Sequence, residues 1–136
     1  LTAGGAEAAI RRSIVMDDLV DCIVALPGQL FFTTAIPVCL WFIDRNKARA
    51  PERDRGGEVL FLDARKMGSK ISRTQIDLDE SEISRIAGTY RAWRGSRSKG
   101  SVPTPGFSAS TPLIAIEKAG SHLSPARYVG APESAA

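Results

Sequence analysis

Three short runs of apolar, strand-favouring residues constrain the fold of this chain more than any other feature. They occupy residues 20–26, 36–43 and 58–63, and charged or turn-forming residues follow each run closely. Runs of this kind are typical of central strands that helices cover on both faces of a largely parallel sheet. The charged segment between the second and third runs ends in Gly56-Gly57, which predicts that these two strands form a long-looped antiparallel pair. Three such strands make part of a sheet rather than a whole one.

Two helices are predicted from apolar periodicity. The first covers residues 6–16, with Arg11 and Arg12 facing away from the core. The second begins at Asp79, because Glu82 three residues later completes a capping-box pattern. Its apolar stripe, which is expected to face the core, consists of Ile83, Ile86, Ala87, Tyr90 and Trp93.

Length and composition indicate one small domain of ordinary polarity. The chain has 136 residues, 43% of them apolar, and a formal net charge of +3. Its longest strongly apolar stretch, residues 30–43, is interrupted by threonines and a proline and is shorter than the ~20 residues of a spanning helix. The sequence therefore predicts a cytoplasmic protein with no membrane partner.

Basic residues are concentrated in two segments. Such clusters suit a phosphate backbone, but they are also typical of a solvated loop and of an exposed helix face, so nucleic-acid binding is permitted rather than shown. The first group is Arg45, Lys47, Arg49, Arg53 and Arg55; the second is Arg85, Arg91, Arg94, Arg97 and Lys99.

Side chains that ligate metals or act as nucleophiles are scarce. Cys22 and Cys39 each lie within an apolar stretch, which favours reduced, buried thiols, and His122 is the single histidine. There is no paired-cysteine motif, no Gly-rich phosphate loop and no recognisable catalytic set. We therefore predict no metal site, no catalytic residue and no cofactor-binding residue in this chain.

Four phrases, in order along the chain, resemble the modification subunits of type I restriction-modification systems. The first is VDCIVALPGQLF at residues 20–31, continued by FTTAIPVCLWF at residues 32–42. The others are IAGTYRAWR at residues 86–94, PGF at residues 105–107 and LSPARYVG at residues 123–130. The resemblance covers nearly the whole chain.

The resemblance implies an α/β fold, namely the C-terminal portion of a Rossmann-like methyltransferase: the last three strands with a final antiparallel hairpin, plus a helical C-terminal arm. It implies methyl transfer from S-adenosylmethionine to the amino group of adenine in DNA. The family's Gly-rich cofactor loop and its Asn-Pro-Pro-Phe tetrapeptide are expected upstream of the segment represented here. No Asn-Pro-Pro occurs in the chain, and its only asparagine is Asn46. The fragment is therefore expected to be inactive alone.

The resemblance also places a target-base pocket beside the loop that follows the first strand. A methyltransferase must turn adenine out of the duplex and hold it by stacking. Phe31 or Phe32 is expected to present that stacking face, and Thr34 to supply a hydroxyl or to fix the loop. The alternative is that both phenylalanines are core residues.

Three segments are predicted along the chain. Residues 1–94 form the C-terminal part of the methylase domain, residues 95–111 a flexible Ser/Gly/Pro-rich linker, and residues 112–136 an arm. The resemblance assigns the arm to docking on the specificity subunit, and it implies DNA and the restriction subunit as further partners. Two other functions stay open: a non-catalytic module that docks on the specificity subunit or DNA, and a generic α/β domain with no nucleic-acid role.

Overall fold

A four-stranded mixed sheet forms the centre of the computed structural model, with strand order β2-β1-β3-β6. The structure describes residues 5–31, 34–49, 53–95 and 104–130. The strands of this sheet are β1 (Val20–Ala25), β2 (Cys39–Ile43), β3 (Glu58–Asp63) and β6 (Ser108–Pro112). A separate two-stranded hairpin consists of β4 (Ser69–Ser72) and β5 (Gln75–Asp77). The helices are α1 (Ala6–Met16), α2 (Glu80–Gly95) and α3 (Leu113–Lys118).

Strand pairing differs from the sequence prediction. β1 is the strand that pairs with β2 in antiparallel register, and it pairs with β3 in parallel register on its other side. The predicted antiparallel pair of the second and third runs is therefore wrong, because β1 lies between them. β2 is an edge strand of the described sheet, and its residues are half-buried or exposed rather than central.

The core lies on both faces of β1 and β3, as their continuous apolarity predicts. Alternate residues of each strand point to opposite faces. One face packs against α1 and the C-terminal segment; its buried residues include Val15, Ile23, Phe61, Ile116 and Leu123. The other face packs against α2; its buried residues include Cys22, Val24, Leu60, Leu62 and Trp93.

Both predicted helices form: α1 has the predicted bounds, and α2 begins directly after Asp79 and includes Gly95, which the sequence assigns to the linker. The amide of Glu82 donates to Asp79 Oδ1 at 2.8 Å and the amide of Asp79 donates to Glu82 Oε1 at 3.1 Å, which is the reciprocal capping box. One detail of α1 is wrong: Arg11 does not face solvent. It is buried, and its Nε donates to the carbonyl of Ser121 at 2.9 Å, so it ties α1 to the C-terminal segment.

The C-terminal third packs on its own domain. Residues 108–112 form β6, paired antiparallel with β3, so the end of the predicted flexible linker is a sheet strand; residues 96–103 of that linker lie outside the described residues. Residues 113–130 of the predicted docking arm also pack on this domain, since Ile116, Leu123 and Val129 are buried in its core. Burial of these apolar side chains stabilises the packing of residues 113–130 against the sheet without a contact to another subunit.

Candidate functional site

The carboxyl ends of the parallel strands β1 and β3 lie side by side. The amide of Ala64 donates to the carbonyl of Ala25 at 2.8 Å, which joins the two strand ends. In open α/β sheets, ligands bind outside the carboxyl ends of the strands, where loops leave the sheet. The loop after β1 and the hairpin that follows β3 are therefore the candidate site.

The loop after β1 turns back tightly on itself. Gln29 has φ of 62°, and its amide donates to the carbonyl of Ala35 at 3.2 Å. Gly28 is required by close approach, because a Cβ on it would lie 2.7 Å from that same carbonyl oxygen. The tight turn fixes the direction in which the chain leaves towards Phe31.

Phe31 lies at the end of this turn and is 44% exposed. It forms a single β-bridge with Thr34, whose hydroxyl accepts a hydrogen bond from the amide of Ile36 at 3.1 Å. The observed contact of Thr34 is thus the loop-fixing one, while Phe31 is not a core residue of this segment. Phe32, the third predicted pocket residue, lies outside the described residues.

The β4–β5 hairpin supports the same loop, and sequence reasoning missed it. The amide of Ile76 donates to the carbonyl of Gln29 at 2.8 Å, and Gln75 Nε2 donates to the carbonyl of Leu30 at 2.8 Å. In return, Gln29 Nε2 donates to the carbonyl of Arg73 at 3.4 Å. The hairpin strands are only 4 and 3 residues long and mostly polar, so no apolar alternation signals them.

Asp63 is the acidic side chain at the carboxyl end of β3, and it forms an ion pair with Arg65. Arg65 Nε and Nη2 donate to its two oxygens at 2.9 and 2.8 Å. These hydrogen bonds hold the pKa of Asp63 below its ordinary value, and the carboxylate in turn raises the pKa of Arg65.

That pairing bears on the cofactor that the resemblance implies. S-adenosylmethionine has ribose hydroxyls and a sulfonium that need acidic or polar partners, since buried polar groups without hydrogen bonds are costly. Arg65 donates three hydrogen bonds to Asp63, from its amide and its guanidinium, so most of the acceptor capacity of this carboxylate is used within the chain. Asp63 is therefore a poor partner for the cofactor, and methyl transfer is not assigned to it.

The opposite, amino end of β1 and β3 contains the first basic cluster, of which Lys47 and Arg55 are buried while Arg45 and Arg49 are exposed. Lys47 Nζ donates to the carbonyl of Val20 at 2.6 Å and to Asp18 Oδ1 at 3.0 Å. Arg55 is fully buried and pairs with Asp21 at 3.1 Å and with Asp44 at 2.8 Å. Both expectations for these two cations, a phosphate contact and a solvated loop, are therefore wrong.

The second basic cluster lies along α2. The guanidinium of Arg85 lies 4.1 Å from the centre of the Phe107 ring, and that of Arg94 lies 6.0 Å from the centre of the Tyr90 ring. Arg97 and Lys99 lie outside the described residues.

The aromatic residues of α2 face the core side of the helix. The hydroxyl of Tyr90 donates a hydrogen bond to Asp21, and burial, followed by this hydrogen bond, raises the pKa of Tyr90 to about 12. Trp93 is fully buried, which confirms its assignment to the core.

An apolar groove of about 420 Å³ lies between α2 and the strands β1 and β2. Its lining includes Val24, Leu40, Phe42, Ile83 and Ile86. Phe31 and Thr34 do not line it, but Leu26 and Leu30 of the loop described above do, so the groove borders that loop.

Both cysteines are free thiols. Cys22 is buried as predicted, and burial raises its pKa strongly. Cys39 is only half-buried because it lies on the edge strand, and partial burial raises its pKa. Within the described ranges, no group of His, Cys, Asp and Glu side chains is arranged to hold a metal ion. None of the helices in these ranges has the length and apolarity that spanning a bilayer requires.

The comparisons with known proteins agree with one another. The N-6 DNA Methylase family matches residues 1–136. The chain is 44% identical over 127 residues to the type I restriction enzyme HindI methylase subunit of Haemophilus influenzae, covering 93% of this chain and 27% of that protein. It is 38% identical over 130 residues to the MjaIX methylase subunit of Methanocaldococcus jannaschii, covering 96% of this chain and 23% of that protein.

A solved structure supports the fold. The crystal structure of the type I restriction-modification methyltransferase subunit from Streptococcus thermophilus superposes with a TM-score of 0.73 at 24% identity, over 95% of this chain and 24% of that one. The chain thus spans about a quarter of the length of the relatives that it matches. It has the α/β fold of this part of a methyltransferase, as predicted, and it belongs to the N-6 DNA Methylase family.

Proposed function

We propose that this chain is the part of a type I methylase subunit that holds the target adenine, with Phe31 as the stacking side chain. The observation that supports this most directly is the exposure of Phe31 at the carboxyl end of β1. A core phenylalanine is buried by its neighbours, whereas 44% of this residue is accessible to a ligand.

In this proposal the loop acts as a rigid mount for the aromatic ring. Gly28 allows the close turn, Thr34 fixes the return of the chain, and Gln75 holds the carbonyl of Leu30 from the hairpin. A fixed ring does not have to be ordered when the base arrives, so stacking is not offset by the loss of loop freedom.

The remaining parts of the activity belong to the complete subunit. We propose that it uses S-adenosylmethionine, that catalysis and cofactor binding come from outside these 136 residues, and that the chain alone is inactive. DNA, a specificity subunit and a restriction subunit are the proposed partners, in the cytoplasm.

The test is Phe31→Ala in the complete methylase subunit, assembled with the subunits it needs for methylation. Loss of a stacked base should reduce transition-state stabilisation by about 1–3 kcal/mol. The free energy of unfolding should change by less than about 1 kcal/mol, because the side chain is half-exposed; a core phenylalanine would lose about 3–5 kcal/mol. Methylation kinetics and urea unfolding measure the two effects on one protein.

Ile36→Ala is the matched control, since Ile36 is exposed in the same loop and is not aromatic. It should leave both quantities near those of the wild type. If the Phe31 variant methylates normally, or if Ile36→Ala lowers methylation equally, Phe31 does not stack on the base.

A further inference from the structure

The β4–β5 hairpin carries a basic surface that lies outside both clusters noted in the sequence. Residues 64–77, which include the whole hairpin, contain four cationic side chains and one acidic one, Asp77 at the end of β5. The hairpin residues 69–74 are all exposed, and Arg73 is in the two-residue turn at the tip, between the paired Ser72 and Gln75. Lys70 lies on β4, three residues before it.

Of these four cations, only Arg65 takes part in an ion pair in the described part of the chain, with Asp63. Lys70 and Arg73 have no ion-pair partner there, while the charge of Lys66 helps to lower the pKa of Asp63. An exposed cation without a partner retains its full attraction for a phosphate, whereas a paired one must first be released. Ser69, Ser72 and Thr74 add exposed hydroxyl donors on the same ribbon, and hydroxyls are common phosphate ligands.

The hairpin is also fixed to the Phe31 loop. Three hydrogen bonds join residues 73–76 to Gln29 and Leu30, directly before Phe31. A group that binds the duplex beside the loop is therefore held at a constant position relative to the stacking ring. A two-stranded ribbon is also a shape that the major groove of B-DNA admits.

We propose that the β4–β5 hairpin binds the DNA backbone beside the target adenine, with Lys70 and Arg73 as phosphate contacts. The inference rests on the proposed function, because it needs a duplex at the carboxyl end of β1. The contacts carry no sequence information; they set the position of the duplex so that the adenine meets Phe31.

The experiment compares Lys70→Ala/Arg73→Ala with Arg45→Ala/Arg49→Ala in the complete methylase subunit with its partners. Both variants lose two exposed positive charges, but Arg45 and Arg49 lie at the opposite end of the sheet. Binding to a fluorescein-labelled duplex of mixed sequence is followed by anisotropy over a range of salt concentrations. For the hairpin variant we expect weaker binding and a slope of log Kd against log salt that falls by about 1 for each side chain removed. The control variant should keep the wild-type slope.

Each alternative outcome has a separate meaning. Equal losses in the two variants would show a general charge effect and would overturn the proposal. Unchanged DNA binding in the hairpin variant would also overturn it, and if assembly with the specificity subunit were weakened instead, the hairpin would be a protein contact. A wild-type complex that binds DNA but tolerates Phe31→Ala would refute the adenine-holding role alone, because the salt slope measures the hairpin independently of Phe31. A wild-type complex that binds no DNA would refute both.

Discussion

Two arginine–aspartate pairs lie at opposite ends of the same parallel strands, and they differ in burial rather than in distance. At the amino end, Arg55 and Asp21 meet at 3.1 Å with side chains that are 0% and 1% exposed. At the carboxyl end, Arg65 and Asp63 meet at 2.8 Å, and the arginine side chain is 47% exposed. The exposed pair has the better geometry, since two parallel hydrogen bonds join it.

Burial nevertheless decides which pair the fold depends on. A buried carboxylate that loses its partner is left as an uncompensated charge, whereas an exposed one is solvated by water. The amino end is therefore closed by Lys47, Arg55 and their partners, and the carboxyl end is left free for a ligand.

The largest expected effect is that of Arg55→Met, which removes the charge and keeps an unbranched side chain. Asp21 and Asp44 both lose a partner, and Asp21 is buried. We expect the free energy of unfolding to fall by about 3–5 kcal/mol, measured by urea denaturation. Asp21→Asn combined with Arg55→Met should recover part of the loss, because no buried charge is then left. A loss below about 1 kcal/mol for the single variant would mean that the amino end does not depend on this pair.

The buried cluster also shows where sequence reasoning stops. The strands β1 and β3 and the helix α2 could be predicted because their signals are local: continuous apolarity in the two strands, and a capping box between Asp79 and Glu82 at the start of the helix. The partners of Lys47 and Arg55 lie 29 and 34 residues away, so a local pattern could show only a run of charges. A solvated loop and a buried ion-pair cluster have the same composition.

The same distinction explains the errors in the sheet and at the C-terminus. β6 has the sequence SASTP and gains its stability from hydrogen bonds to β3, not from an apolar pattern of its own. The six-residue helix α3 would be marginal in isolation, but Ile116 and, beyond the helix, Leu123 are buried against β1 and β3. At the candidate site, the assignment of Phe31 comes from the resemblance and stays a prediction, while the hydrogen bond from Gln75 to the neighbouring carbonyl of Leu30 joins residues 45 positions apart.

An intermediate effect is expected for Gly28→Ala, at the carboxyl end. The added methyl would lie 2.7 Å from the backbone oxygen of Ala35, which cannot move aside as a flexible side chain can. We expect a loss of about 1–3 kcal/mol in the free energy of unfolding, as for other overpacked sites. Amide hydrogen exchange should show that the change is concentrated in residues 27–37. Gly88→Ala is the control, because nothing lies within 4 Å of a Cβ there, and it should be neutral or stabilising. Uniform loss of protection across the sheet would contradict a local effect.

The smallest effect is expected for Arg65→Met, the counterpart of the first variant. At neutral pH the free energy of unfolding should fall by less than about 1 kcal/mol, because both partners are reached by water and the pair is screened by salt. The contribution of the Arg65–Asp63 pair to the free energy of unfolding should also depend on pH. The pKa of Asp63 is lower in the folded protein than its ordinary value, so the stabilisation is present above the unfolded pKa and is lost as the pH falls through the folded one. The difference between wild type and variant should therefore disappear in acid, and NMR titration should show the pKa of Asp63 moving back up towards its ordinary value in the variant. A loss as large as that of Arg55→Met, or one that persists below the folded pKa, would show that burial is not what separates the two ends of the sheet.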